Sequence, residues 1–535
     1  MSVEADISLE SLRKEHFKTC CKPAYRVKWL SNKGAILVIT LNYLVASVFF
    51  LLRAGYKVNS DDPVQFTGII LMSSTLLYPI GGWLADTHIG RYKMIFYSIW
   101  IMWISIMLAT FNEVLAHVVT TYEASSRVMT AIYGVLCVIM AIGLGGFQSN
   151  IVQLGIDQLA YASATEISSF ITWYTLTLFA SGLTLHYISD CVVEEYNMFY
   201  VKLLVVAVFL TLALCSVFLF HHWLVKEQTT ENVLHLMLKF IQYTIANRKF
   251  RHDFATNKEL PSLFDVANYT HGRAYRAQQM ENICRFLWML VVIAACAIVG
   301  GAVAPLEYAK DKMEYHIRVS EITGLIGCYR NLIIHYNGYF FAIVLALIFE
   351  FIVHPLFTRC LPTISITNRF LFGAVSLLIL VVSLLVIEAI ASKQEWQQLS
   401  NNITKNCIFT ASPKVQIHFN TEWLVIPGFM GGLSNLLLIL SALEFIWSQA
   451  PMTMKGLALG CMYALLGLSV MLHSTITSPF VFMTHIQWKH SPLTCGTWYF
   501  LIEGVIILVV LIVIGVLVKR YKKRNASFDL YTHHH

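Results

Sequence analysis

An all-α, multi-pass membrane protein is the fold class that the sequence predicts, on three observations. Of 535 residues, 57% are hydrophobic and 13% charged, a balance that water-soluble domains do not carry. Apolar runs long enough to cross a bilayer recur about twelve times, and inside lipid the backbone of such a run is satisfied as helix. With twelve spans and both ends inside, 26 of the 38 Lys and Arg fall on cytosolic segments, although the outer segments are comparably long. That is the positive-inside bias. It accounts for most of the net charge of +7 and calls for no nucleic-acid partner.

The leader, 1–33, is polar and carries seven basic groups. The first apolar run starts at about residue 34, so it reads as an uncleaved span with a cytosolic N-terminus. Cys20 and Cys21 fit an ordinary reduced pair better than a palmitoylated one. Span 1, Ala35 to Leu52, contains no ionisable side chain. Span 2, from about Val64, enters the loop GGWLADTHIGRYK, whose glycines permit a tight turn. Spans 3 and 4 follow, and Gly143, Gly145 and Gly146 in span 4 let a neighbouring helix approach closely. Span 5 holds Trp173 and Tyr174, read from the residues alone as packing or interfacial aromatics. Span 6 ends near Lys226.

A cytosolic linker then joins two six-span halves. Within it Val233, Met237, Phe240, Ile241 and Ile245 recur at helical spacing against Lys239 and Arg248. This is an amphipathic helix on the inner membrane face, with a partner-binding helix as the alternative. Span 7 lacks an acid. Span 8 begins at Asn337 and contains Glu350, which is costly in lipid without a partner or water. The outer loop after span 9 contains the sequon Asn402-Ile403-Thr404 on the side where glycosylation occurs, whereas Asn268 and Asn525 head sequons that face inside. Span 10 carries Glu444, whose position in an apolar helix reads as functional, a buried structural acid being the alternative. Spans 11 and 12 read as apolar apart from Glu503. The Lys519 to Arg524 cluster is juxtamembrane charge suited to anionic lipid, and the three terminal histidines read as a tail or tag remnant. The predicted divisions are leader 1–33, first bundle 34–223, linker 224–285, second bundle 286–518 and tail 519–535.

Twelve cysteines show no CxxC pair and no metal spacing. Cys191, Cys328, Cys407 and Cys495 face outside in this topology, leaving room for one or two disulfides of open connectivity. No nucleophile with a base, metal cluster or phosphate loop appears, so neither an enzyme nor a cofactor is expected.

Three longer patterns carry a resemblance. Ala141 to Gln158, AIGLGGFQSNIVQLGIDQ, resembles the fourth helix of proton-coupled oligopeptide transporters, the peptide and nitrate branch of the major facilitators. In that family it reads G-x-G-G-x-K-P-N, then F-G-x-D-Q. Gly143, Gly145, Gly146, Asn150, Gly155, Asp157 and Gln158 match, while Gln148 replaces the lysine and Ser149 the proline. Gly82, Asp86, Gly90, Arg91 and Lys93 match the general facilitator loop G-x-x-x-D-x-x-x-G-R-x-K. In span 10, Glu444, Phe445, Gln449, Ala450, Pro451, Met454 and Lys455 match, with Asn435 in place of a first glutamate and Trp447 in place of a tyrosine. Weaker similarities are Trp173 and Tyr174 in span 5, Glu281 and Arg285 before span 7, Asn337 in span 8, and Arg369, Gly373 and Glu388 in span 9. Where family members carry E-x-x-E-R in span 1, this chain has Asn42, Val45 and Ala46.

The resemblance implies a major facilitator fold, twelve transmembrane helices in two six-helix bundles that rock to give alternating access. It implies substrate-binding roles for Glu444, Asn337, Gln148, Asn435, Tyr174, Asn42 and Trp447. Gating roles fall on Gly82, Asp86, Gly90, Arg91, Lys93 and Asp157. In peptide-carrying relatives the span 8 asparagine and span 10 glutamate hold the amino group, and span 1 and span 4 cations hold the carboxylate. Asn337 and Glu444 keep the first half; Gln148, Val45 and Ala46 remove the second, and neutral groups hold a desolvated carboxylate poorly. The expectation is a secondary-active or facilitative transporter of a small amine-bearing or neutral solute, with altered or lost proton coupling. A proton-dependent di- or tripeptide symporter using another acid, such as Glu350 or Glu388, and a non-transporting receptor or scaffold are the alternatives. The partners expected are the solute and the bilayer, with protons left open. The plasma membrane is expected ahead of an endolysosomal one.

Overall fold

The computed structural model describes residues 28–53, 66–118, 126–159, 162–188, 199–226, 237–239, 242, 277–303, 306, 337–353, 365–399, 421–482 and 495–520. In the first half of the chain these hold α1 Lys33–Arg53, α2 Phe66–Leu84, α3 Arg91–Val118, α4 Ser126–Asp157, α5 Ala164–Ile188 and α6 Phe199–Phe220. In the second they hold α7 Ala277–Gly301, α8 Asn337–Ile348, α9 Ile366–Leu399, α10 Val425–Gln449, α11 Lys455–Phe482 and α12 Cys495–Arg520. Each lies on one of the apolar runs. Seven, α3, α4, α6 and α9 to α12, are long and apolar enough to cross a membrane, while α1, α7 and α8 contribute shorter apolar helices. Large apolar side chains such as Leu76, Phe111, Phe218 and Ile512 stand exposed, as suits a surface whose solvent is lipid. The Asn402 sequon, Cys191, Cys328, Cys407 and the linker apart from 224–226, 237–239, 242 and 277–285 lie outside the described residues.

Association in lipid relies on close packing and polar contacts rather than on the hydrophobic effect, and α4 shows how. A methyl group added at Gly143 would lie 2.7 Å from the Ser98 carbonyl oxygen of α3, and one at Gly145 would lie 3.1 Å from the Leu77 backbone of α2. The small residues of α4 thus seat it against two backbones. Elsewhere in this half, α1 packs on α5 and α6, and α3 on α6. In the second half, α9 packs on α10 and α12, α8 on α10, and α7 on α11 and α12. The halves meet chiefly through α2 on α11 and α5 on α8, with smaller contacts of α4 with α11 and α5 with α10.

One polar knot ties each half internally. Gln158, just past α4, accepts from Asn32 Nδ2 at its carbonyl (2.6 Å), donates Nε2 to the Val225 carbonyl (3.3 Å) and accepts the Val225 N–H at Oε1 (2.7 Å). In the second half, His473 of α11 turns Nδ1 to the Glu503 carboxylate of α12 (2.7 Å) and Nε2 to the Ile298 carbonyl of α7 (2.8 Å). One buried ring therefore joins three helices.

Candidate functional site

Midway along the helices, a polar cluster bridges the halves. Gln148 of α4 donates Nε2 to the hydroxyls of Tyr174 of α5 (3.1 Å) and Tyr463 of α11 (3.1 Å). The Tyr78 ring of α2 packs against Tyr463 with centroids 5.6 Å apart, and its hydroxyl bonds Ser74. Tyr174 is fully buried and Tyr78 nearly so. The bonds described within this cluster join amide and hydroxyl groups, none of them charged. Asn42 sits one layer behind, buried, donating Nδ2 to the Tyr174 carbonyl (3.2 Å) and to Thr177 Oγ1 (3.0 Å). It braces α1 against α5, and its Oδ1 has no partner among the described residues.

The end that the charge distribution assigns to the cytosol, the inner end, holds the charged groups. Between α2 and α3 the chain forms a π-helical turn, Ala85–Ile89, closed by Gly90 at φ 85, a conformation that glycine adopts without strain. This turn places Asp86 against Arg91, which bonds Asp86 Oδ1 through Nη2 (3.1 Å) and Asp157 Oδ2 through Nη1 (2.6 Å). Gln153 donates to the other Asp157 oxygen (2.7 Å). Asp86 Oδ2 accepts the Leu457 N–H across the two halves (3.0 Å). Leu457 lies in the first turn of α11, where N–H groups lack helical partners and the dipole favours an anion. Asp86 therefore caps a helix of the other half. Burial pushes its carboxyl above the usual carboxylate range, while Arg91 and the Leu457 N–H pull it down. Contact here is very close: a methyl group on Gly82 would meet the Gly456 carbonyl oxygen at 2.1 Å. Lys93 is exposed on the first turn of α3.

On the other side of the inner end, adjacent serines of α5 reach two acids of the second half. Ser168 Oγ donates to Glu444 Oε1 of α10 (2.6 Å), and Glu444 Oε2 is ion-paired with Arg369 of α9. Ser169 Oγ bonds Glu350 Oε1 and receives the Trp29 indole N–H (3.0 Å). Glu350 lies in a π-helical turn, Phe349–Val353, that continues α8.

Gly82, Asp86, Gly90, Arg91 and Asp157, the residues for which the resemblance implies gating, are thus gathered at one place. Gln148 and Tyr174 are brought into direct contact. Glu444 is instead placed in an inner-end ion pair. Asn435, half-buried, lies further along α10, and Trp447 carries the Lys455 ammonium over its ring at 6.0 Å. Asn337 opens α8, its side chain outside the described set. Sequence reading missed Tyr78, Tyr463, Ser168, Ser169, Trp29 and His473. Of these, the serines had a signal, since two acids in apolar helices require donors from somewhere.

No family model matches the sequence. The structure is similar to that of the POT family transporter PepTSo, with a TM-score of 0.62 and 12% identity over 92% of this chain and 98% of that one. It is similar also to an auto-inhibited POT family peptide transporter, with 0.61 and 13% over 93% and 99%. A bacterial homologue of the iron transporter ferroportin in an outward-facing state gives 0.52 and 12% over 91% and 98%. At such identity the likeness shows the fold, which is the major facilitator fold of these proteins. With its apolar helices, that fold makes the chain an integral, multi-pass membrane protein.

Proposed function

We propose that the chain is a divergent member of the proton-coupled oligopeptide transporter family, carrying a small polar solute that presents hydroxyl or amide groups rather than a carboxylate. The fold and the three sequence patterns support the family. The substrate class rests on one observation: the Gln148, Tyr174 and Tyr463 cluster, shared by both halves, is bonded through neutral groups at the position where the family places its lysine. Neutral donors and acceptors exchange partners with a neutral solute at little net cost, since each such bond nets only about 1 kcal/mol, whereas a desolvated carboxylate there would lack a cation. The amine-binding half of the expectation is weakened, because Arg369 already matches the charge of Glu444.

Rocking of the halves would break the Asp86–Leu457, Ser168–Glu444 and Ser169–Glu350 contacts and open the cluster to the inner side. Asp86–Arg91–Asp157 and Glu444–Arg369 lie within single halves, so they survive that motion and keep each half charged but satisfied.

The test is thermal unfolding of the purified protein against dipeptides, their carboxyl-amidated forms, simple amines and neutral polyols. A ligand selective for the folded state raises its stability by mass action, about 2.7 kcal/mol at a hundred times Kd. Stabilisation by amidated or neutral compounds ahead of free dipeptides is the expected result. Free dipeptides ahead of both would replace this reading with ordinary peptide transport.

A further inference from the structure

We propose that Glu350 is a proton-binding site of the inner gate, neutral while the inner end is shut and ionised once it opens. This rests on the transporter reading above and moves proton coupling away from α1, where Asn42, Val45 and Ala46 offer nothing to titrate.

Glu350 is 1% exposed, yet it sits on a surface between the halves that alternating access must open. Its surroundings are poor in charge and rich in rings. The Trp29 ring meets Phe170 edge-on at 5.7 Å and Trp173 at 6.2 Å, and Trp173 meets Phe351 at 6.4 Å. Oε1 has the Ser169 hydroxyl, the Trp173 indole N–H lies beside the carboxyl as a second neutral donor, and Oε2 is buried without a well-formed bond among the described residues. An ionised carboxylate offers about four lone-pair sites; this one would have only the neutral donors of Ser169 and Trp173, and no cation among the described residues. Such a group takes up a proton in preference to staying charged. The Ser169 contact suits the neutral form equally, with Glu350 donating to Ser169 Oγ. Because the Trp29 N–H also lands on that oxygen (3.0 Å), the serine is held in place for either direction.

The other ionisable groups around it reinforce this. Arg369 of α9 lies over the Phe349 ring at 5.9 Å, but its guanidinium is paired with Glu444. Glu444 of α10 sits on the neighbouring serine and opposes a second negative charge. Glu166 of α5, nearer the helix start, accepts the Ser163 N–H at 3.2 Å. Asp86, Arg91 and Asp157 serve the opposite contact, between α2 and α11. When the halves part, water reaches Glu350, the carboxylic acid dissociates to carboxylate, and the proton leaves to the inner side. Closing again requires a proton to return.

The sign of the pH effect follows. The shut state binds one more proton than the open state, so raising the pH favours opening, by as much as about tenfold in the shut-to-open ratio per pH unit within the titration window. Asp86 works in the same direction, since burial in the shut state also raises its carboxyl, and it must be separated.

The experiment measures the distance between spin labels at Thr165 and Asn368, both exposed at the inner end of opposite halves. It uses the full chain in lipid nanodiscs, its native cysteines replaced, from about pH 5 to about pH 9. The expected result is a loss of the short-distance population with rising pH in the parent protein. Glu350→Gln should remain shut throughout, and Asp86→Asn should keep the Glu350-dependent step. A pH-independent parent, or E350Q following the parent curve, overturns the proposal. Should E350Q fail to fold, infrared spectra of the parent decide: a protonated-carboxyl band that disappears in step with opening supports the site, and no such band at any pH overturns it. No solute enters this readout, so failure of the proton site and failure of the substrate reading are distinguishable.

Discussion

The middle of the molecule and its inner end join the same two halves by different chemistry. At the middle, Gln148 reaches Tyr463 through a neutral amide and hydroxyl. At the inner end, the contacts from Asp86 to Leu457, from Ser168 to Glu444 and from Ser169 to Glu350 each engage a carboxyl group. Neutral bonds are replaceable by a solute at little net cost. Carboxyl groups respond to desolvation, to a helix N-terminus and to protons, so their strength changes sharply when the halves separate. On the proposed function, recognition and gating fall at different levels of one interface.

The largest test of this contrast is Glu444→Ala. It leaves the Arg369 guanidinium largely buried without its partner, which costs about 3–5 kcal/mol when such a pair is broken. A marked fall in the thermal midpoint is expected, with part of it recovered by also replacing Arg369 with methionine. An unchanged midpoint would mean that the pair contributes nothing to the inner end. Next comes Gly82→Ala, whose methyl group meets a backbone oxygen that cannot rotate away. Overpacking of this kind costs about 1–3 kcal/mol, directed at the shut state. Inner-end distances should lengthen while the fold is retained. The smallest effect is at the middle: Gln148→Lys puts a cation beside two tyrosine hydroxyls. Free dipeptides should then gain about tenfold in affinity over amidated ones, about 1.4 kcal/mol, read as ligand-dependent thermal stabilisation.

The helices were legible because an apolar run in lipid has one solution, and the α2–α3 turn was legible because its acid, glycines and arginine recur at fixed spacing. What the site does with these residues was less so. Glu444 announces itself as an acid in an apolar helix, but its partner Arg369 comes from 75 residues away and its serine from 276. No local period connects them. Tyr463 and His473 hid in a helix that reads as apolar, since a tyrosine ring satisfies a hydrophobic pattern while its hydroxyl does something else. Glu350 was visible as an expensive residue. That no described cation stands beside it was not, because that depends on which faces of α5, α8 and α9 meet.

The Gln158 knot bears on how the protein is made. It joins the start of α1 to the end of α4, 126 residues apart, and α4 to the segment after α6, 67 residues apart. The ribosome delivers these pieces long before α7 exists. With synthesis at about 5–20 residues per second, the stretch from Lys226 to Ala277 takes a few seconds to emerge. That interval is long enough for the start of α1, the end of α4 and the segment after α6 to meet at Gln158 before the second six helices arrive, so the first bundle has time to close on its own.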